Sequence, residues 1–331
     1  MIAPSPIQID PALFGEDAIA PQTAALNDAV EKMLSELPTI MEVGPEKVRA
    51  RRREGTGGPL DVQPAHEIAR WETASDGERE VPVRIFHPGG DLKGFYLHIH
   101  GGGWTLGSAD AQDQTLAALA QKLSIGIASV EYRLAPEHPW PAPADDCETA
   151  ALWLMREAEN LFGTKKVVIG GESAGGHLSA VTILRLRDRH GMMPFAGANL
   201  IYGNYDLSAL PSMRNWGERN LILNTPIVYY FRDQFLPPDR FSEADYRDPE
   251  ISPMYKDLNG LCPALFTIGT MDPLLDDSLI MSAKWLAAGN PSELAIYPGG
   301  IHVFDMFPDL GIAKEANARM AEFISDALAA A

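Results

Sequence analysis

The sequence predicts a doubly wound α/β fold, a mostly parallel sheet covered by helices on both faces. Three observations carry that prediction. Short, nearly continuous apolar runs of strand length recur along the chain, as expected of strands buried on both sides. Amphipathic helical patterns lie between them, which makes successive strands parallel with right-handed crossovers. One run, Val167, Val168 and Ile169, leads through "GGESAGGHL" into a helical pattern, a strand-to-helix turn centred on Ser173.

In chain order, Leu26, Ala29, Val30, Met33, Leu34 and Leu37 follow helical spacing, with Glu31, Lys32 and Glu36 on the other side. A further helix is expected from near Pro45. It carries the basic cluster of Arg49, Arg51, Arg52 and Arg53, which reads as a solvated face and is assigned no function. "EGTGGPLDVQP" (54–64) is dense in Gly and Pro and reads as a linker. After it Val81, Val83 and Ile85 alternate with other residues as in a half-buried strand. The more continuous strands "GFYLHIH", "IGIASVEY", "KKVVIGG", "FAGANLIYG", "PALFTIGT" and "ELAIYPG" follow. The intervening helices are "DAQDQTLAALAQKL", "ADDCETAALWLMREAENLF", "HLSAVTILRLRDRH" and "DSLIMSAKWLAAG". The stretch 205–246 breaks the alternation: it is helix-prone, aromatic-rich and too long for an ordinary connection. The expected organisation is an N-terminal cap segment at 1–70, a core at 71–204, a cap insertion at 205–246 and the rest of the core at 247–331.

With 331 residues, 46% hydrophobic and 22% charged, the chain can bury the core of an ordinary globular enzyme. The formal net charge of −18 repels phosphate backbones and anionic lipid, so nucleic acid is not an expected partner. No apolar run approaches the ~18 residues that span a bilayer. "MIAPSPIQIDPALFGED" lacks a basic stretch followed by an apolar one, so a cytoplasmic location is expected. Cys147 and Cys262 lack C-x-x-C spacing and are expected to be buried small hydrophobes rather than a disulfide.

Gly171, Ser173 and Gly175 match G-x-S-x-G in the strand–turn–helix context that gives the motif its meaning. A phosphate-binding helix start is the competing reading, but no G-K-[ST] follows. A serine hydroxyl attacks efficiently only when a base takes its proton and an acid holds that base in one tautomer. Downstream of Ser173 the histidines are His177, His190 and His302. The first lies in the helix just begun and the second at its polar end, which leaves His302, in the glycine loop after "ELAIYP". Asp272, directly after a predicted strand, is the favoured acid. Asp276 and Asp277 compete, although first-turn carboxylates beside a helix dipole explain them. His100, Gly101, Gly102 and Gly103 in "HIHGGGWTLG" match an HGGG-type element that offers backbone N–H groups to an oxyanion, roughly 2.7–4 kcal/mol per donor in comparable sites.

In "HGGGW", "YRLAPEHPWPAPADDC", "GESAGG", "DPLLDD" and "IHVF" the chain from about Tyr96 onward resembles the hormone-sensitive-lipase-like, HGGG-type (bacterial family IV) carboxylesterases of the α/β-hydrolase superfamily. The resemblance implies an eight-stranded, mostly parallel sheet with a helical cap. It implies Ser173 as nucleophile, Asp272 as acid and His302 as base, with Gly102, Gly103 and Ala174 donating to the oxyanion. His100 would order the glycine loop with Gly101, and "YRLAPE" would act as scaffold. Glu172, in the support of the site, stands where many members carry Asp. The implied reaction is hydrolysis of a small-molecule ester with a short to medium acyl chain, without metal or organic cofactor. An edge strand would allow a homodimer. An amidase or peptidase would use the same triad, whereas a non-catalytic receptor would not be expected to keep His302. Trp104, Trp216, Tyr229, Tyr230 and Phe231 are expected to line an apolar pocket.

Overall fold

The computed structural model describes residues 9–58 and 60–331. The first eight residues of the expected cap segment and Pro59 of the expected linker lie outside the described residues. Helices α1 (Pro21–Ser35), α2 (Ile40–Val43) and α3 (Pro45–Arg53) precede the sheet. Then come β1 (Ala69–Ser75), β2 (Glu80–Phe86), β3 (Phe95–Ile99), α4 (Asp113–Leu123), β4 (Gly126–Val130), α5 (Ala142–Phe162), β5 (Val167–Glu172), α6 (Ala174–His190) and β6 (Phe195–Ile201). The short α7 (Pro211–Arg214) and α8 (Thr225–Phe235) follow, then β7 (Ala264–Met271), α9 (Leu275–Ala287), β8 (Ser292–Ile301) and α10 (Gly311–Ala330).

The eight strands form one sheet in the order β1-β2-β4-β3-β5-β6-β7-β8. β1 and β2 run antiparallel, and from β4 to β8 the neighbours are parallel. Alternation along β5 shows why its neighbours read as continuous apolar runs. Val167 and Ile169 enter the core shared with α5 and α6, while Val168 enters the one beneath α4 and α10. Both free cysteines, Cys147 and Cys262, are buried. Among the described residues no helix is long and apolar enough to cross a membrane.

Three elements depart from the reading of the sequence. β1 was not anticipated: "ARWETAS" has no apolar run, because it is an edge strand paired only with β2, and Trp71 is 44% exposed. The C-terminal α10 was likewise not among the expected helices. In β2, alternation is incomplete, since Arg84 is buried along with Val81, Val83 and Ile85. Its guanidinium grips the fully buried Asp113 of α4, with Nε donating at 3.1 Å. Arg84→Ala would leave that carboxylate unpaired in the core. It is expected to lower unfolding stability by ~3–5 kcal/mol, read from a urea melt, and a loss below 1 kcal/mol would contradict this account.

The segments on either side of the core meet over one end of the sheet. α1 packs on β8 and α2 on α8, and Arg219 pairs with Glu31 of α1. α2 is held by a capping box between Thr39 and Glu42. The basic cluster is not uniformly solvated as expected. Arg51 and Arg53 are exposed, but Arg49 donates to the carbonyls of Thr105 and Ala135 and pairs with Glu137, fastening α3 to the segment after the glycine loop.

Candidate active site

At the end of β5 the chain turns into α6 through Ser173, whose backbone is at φ 57 and ψ −120. Such a conformation persists only when its surroundings enforce it. Here β3 does so: a Cβ on Gly171 would lie 1.9 Å from the Ile99 carbonyl oxygen, and one on Gly175 would lie 1.8 Å from the same atom. Both glycines of the motif therefore let the turn pass against β3, and the Ser173 N–H is held by the Ile201 carbonyl at 2.8 Å.

His302 follows β8 and Asp272 follows β7, so the two loops bring them to the end of β5. His302 Nε2 stands 2.9 Å from Ser173 Oγ, and Asp272 Oδ2 stands 2.7 Å from His302 Nδ1. All three residues are buried. A carboxylate can only accept, so Nδ1 carries the proton and Nε2 presents its lone pair to the hydroxyl. Asp272 Oδ1 is fixed by the Leu274 N–H at 2.9 Å. The competing acids are occupied elsewhere. Asp277, which burial pushes well above the carboxylate range, accepts from the N–H groups of Tyr205 and Asp206. Asp276 accepts from the Ser212 N–H. Of the other histidines, His177 is buried, accepts from the Trp104 indole and donates to the Ile251 carbonyl, and burial lowers it to about 4. His190 pairs with Glu148.

The glycine loop follows β3 and is held on both sides. The His100 Nδ1–H donates to the Gly101 carbonyl at 2.9 Å, and its ring stacks on Tyr132 at 4.2 Å. Burial lowers His100 to about 4, so the ring is neutral. Tyr132, of the "YRLAPE" segment, donates its hydroxyl to the His100 carbonyl. Glu172 accepts from the Gly101 N–H at 2.9 Å, from the Gln112 amide and from His98. Burial raises a carboxyl in that position, but His98 and the hydrogen bonds outweigh it and keep Glu172 below its usual range. Gly102, at φ 119, accepts at its carbonyl from the N–H groups of Thr105 and Leu106. The N–H groups of Gly102 and Gly103 donate to no backbone acceptor among the described residues. That of Ala174 opens α6, where a helix leaves its first donors free. Among the described residues no group of three or more His, Cys, Asp or Glu side chains is arranged to hold a metal ion.

Ser173 and His302 open on a cavity of about 590 Å³. Its lining includes the apolar residues Leu223, Ile227, Val228, Phe231 and Leu274, together with Trp104 and the glycine loop. Three aromatic residues expected there do not line it. Trp216 turns its indole N–H to the Arg219 carbonyl, Tyr229 lies under the Arg232 guanidinium, and Tyr230 packs beside Phe231. For the two tyrosines the reason is helical phase: on α8, Ile227, Val228 and Phe231 share a face, and consecutive residues point about 100° apart. That periodicity was available in the sequence. Nothing local marked two further lining residues, Arg52 of the basic cluster and Asp305 of the turn after His302.

A model of the alpha/beta hydrolase fold family matches residues 96–306. The carboxylic ester hydrolase LipN of Mycobacterium tuberculosis is 34% identical over 68% of this chain, and the match spans 61% of LipN's own length. The carboxylesterase NlhH of Mycobacterium tuberculosis is 34% identical over 80% of this chain and 83% of that protein. Among solved structures, a hyperthermophilic esterase from the archaeon Pyrobaculum calidifontis superposes with a TM-score of 0.83 at 28% identity, covering 93% of this chain and 98% of that one. A bacterial heroin esterase gives 0.83 at 28% identity, covering 94% and 98%.

Proposed function

We propose, from the premise that this chain belongs to the hormone-sensitive-lipase-like branch of the α/β-hydrolase fold family, that it is a serine carboxylesterase working through Ser173, His302 and Asp272. The observation that carries the reading is the unbroken hydrogen-bonded relay from Asp272 through His302 to Ser173 at the mouth of a cavity. As Ser173 Oγ bonds to the ester carbonyl carbon, His302 Nε2 takes its proton. The charge on the carbonyl oxygen is received by the N–H groups of Gly102, Gly103 and Ala174. Collapse breaks the bond to the alcohol oxygen, which leaves with the proton from His302. Water then attacks the acyl group by the same route, releasing the acid and restoring Ser173. Asp272 keeps the imidazole in one tautomer and stabilises its cation. Glu172, with His100, holds the glycine loop in place.

Of the described residues, those up to 70 and those at 205–246 act as the cap over a core of 71–204 and 247–331. The apolar residues Leu223, Ile227, Val228, Phe231 and Leu274 of the cavity wall take the acyl chain, which is expected to be short to medium. A series of p-nitrophenyl esters from acetate to dodecanoate tests this. The kcat/KM is expected to peak in the short to medium members and to fall at dodecanoate. Inertness towards the whole series overturns the reading, and faster cleavage of a matched p-nitroanilide would make the enzyme an amidase.

A further inference from the structure

The turn after His302 carries an acid for which the reaction above has no use. Asp305 lies in a one-turn 3-10 helix, Phe304–Met306, and lines the same cavity as Ser173 and His302. It is anchored from two sides. The Tyr202 hydroxyl donates to its Oδ1 at 2.6 Å, and the Asn317 side chain donates to its backbone carbonyl at 2.8 Å. Tyr202 also stands edge-on to the His302 ring, with centroids 4.7 Å apart, so acid, phenol and base form one packed unit. Beyond the Tyr202 hydroxyl the Asp305 carboxylate meets no other side-chain donor among the described residues, and the residue lines the cavity.

A largely buried carboxylate with a single side-chain hydrogen bond is costly to ionise unless a cation meets it. Burial pushes Asp305 up to about 6, and the charge of Glu172 adds to this; the Tyr202 hydrogen bond, its own backbone N–H and the charge of His302 oppose it. The charges prominent in this shift are those of Glu172 and His302. The cations of the cavity wall, Arg51 and Arg52, belong to α3, where Asp61 answers Arg52. Orientation follows from the chemistry. The general base hands its proton to the leaving oxygen, so the alcohol portion of the ester departs on the side of His302.

The geometry points to the Asp305 carboxylate as the counter-ion for an ester whose alcohol portion carries an ammonium group. This deepens, and rests on, the carboxylesterase reading above. The net charge of −18 acts in the same direction, since it draws cations towards the protein and repels anions.

Butyrylcholine and neohexyl butyrate are nearly isosteric, a tert-butyl carbon replacing the trimethylammonium nitrogen. The ratio of their kcat/KM values, from titration of released acid at mildly alkaline pH, isolates the charge. In Asp305→Asn the ratio is expected to fall about tenfold, equivalent to about 1.4 kcal/mol, and taking it within each variant cancels any general loss of rate. An unchanged ratio overturns the proposal, as does rejection of butyrylcholine by wild type that hydrolyses neohexyl butyrate. Should the variant not fold, wild type decides: tetramethylammonium is expected to compete with p-nitrophenyl butyrate at millimolar concentration, and absence of competition overturns the proposal. Inertness of wild type towards p-nitrophenyl butyrate is a separate result that removes the carboxylesterase reading and this one with it.

Discussion

Replacing Ser173 with alanine is expected to lower kcat for p-nitrophenyl butyrate on the order of 10⁶-fold, the scale of losing the nucleophile from a serine triad. The substitution removes only Oγ. Alanine keeps the Cβ that the turn already accommodates, so the glycine contacts with the Ile99 carbonyl and the Ser173 N–H bond to Ile201 remain. The variant should therefore melt with wild type while losing activity. Progress curves at high enzyme concentration, beside a thermal melt, check both halves. Retention of a substantial share of the wild-type rate would mean that another group or a water attacks the ester, and the assignment of Ser173 would fall.

Asp272→Asn is expected to cost about 10⁴ in kcat, because an amide can present its N–H₂ to His302 and stabilise the tautomer with its proton on Nε2, the wrong nitrogen for taking one from Ser173. Asp272 Oδ1 is tied to the Leu274 N–H, so the amide orientation that keeps that bond is the one that turns the N–H₂ towards His302 Nδ1. Asp277→Asn supplies the contrast. Its Oδ1 accepts from the N–H groups of Tyr205 and Asp206, and Asn keeps that oxygen, so the change is expected to leave both the fold and kcat in the wild-type range. Equal losses of kcat in the two variants would contradict the assignment of the acid.

The elements legible in the sequence are those whose burial is set by their own repeat. β5 reads as a strand because both its faces are covered, and α1 as a helix because its apolar residues recur on one face. β1 has no such record, since pairing on one side asks little of its side chains. Arg84 looks like an outward-facing residue of an alternating strand. It is buried because Asp113, 29 positions away, supplies the opposite charge. On α8, composition pointed to Tyr229 and Tyr230, whereas helical phase selects Ile227, Val228 and Phe231 for the cavity.

By itself the sequence determined the fold class, the strand–turn–helix at Ser173, and the candidates that follow it in order, because these are recorded in short-range spacing. Only the tertiary structure decided which acid meets His302, what Glu172 holds, and that Asp305 shares the cavity. His302 and Ser173 are 129 positions apart, and Glu172 and Gly101 are 71 apart. Such contacts depend on which loops the sheet order brings to one end, and no local period of the chain records that order.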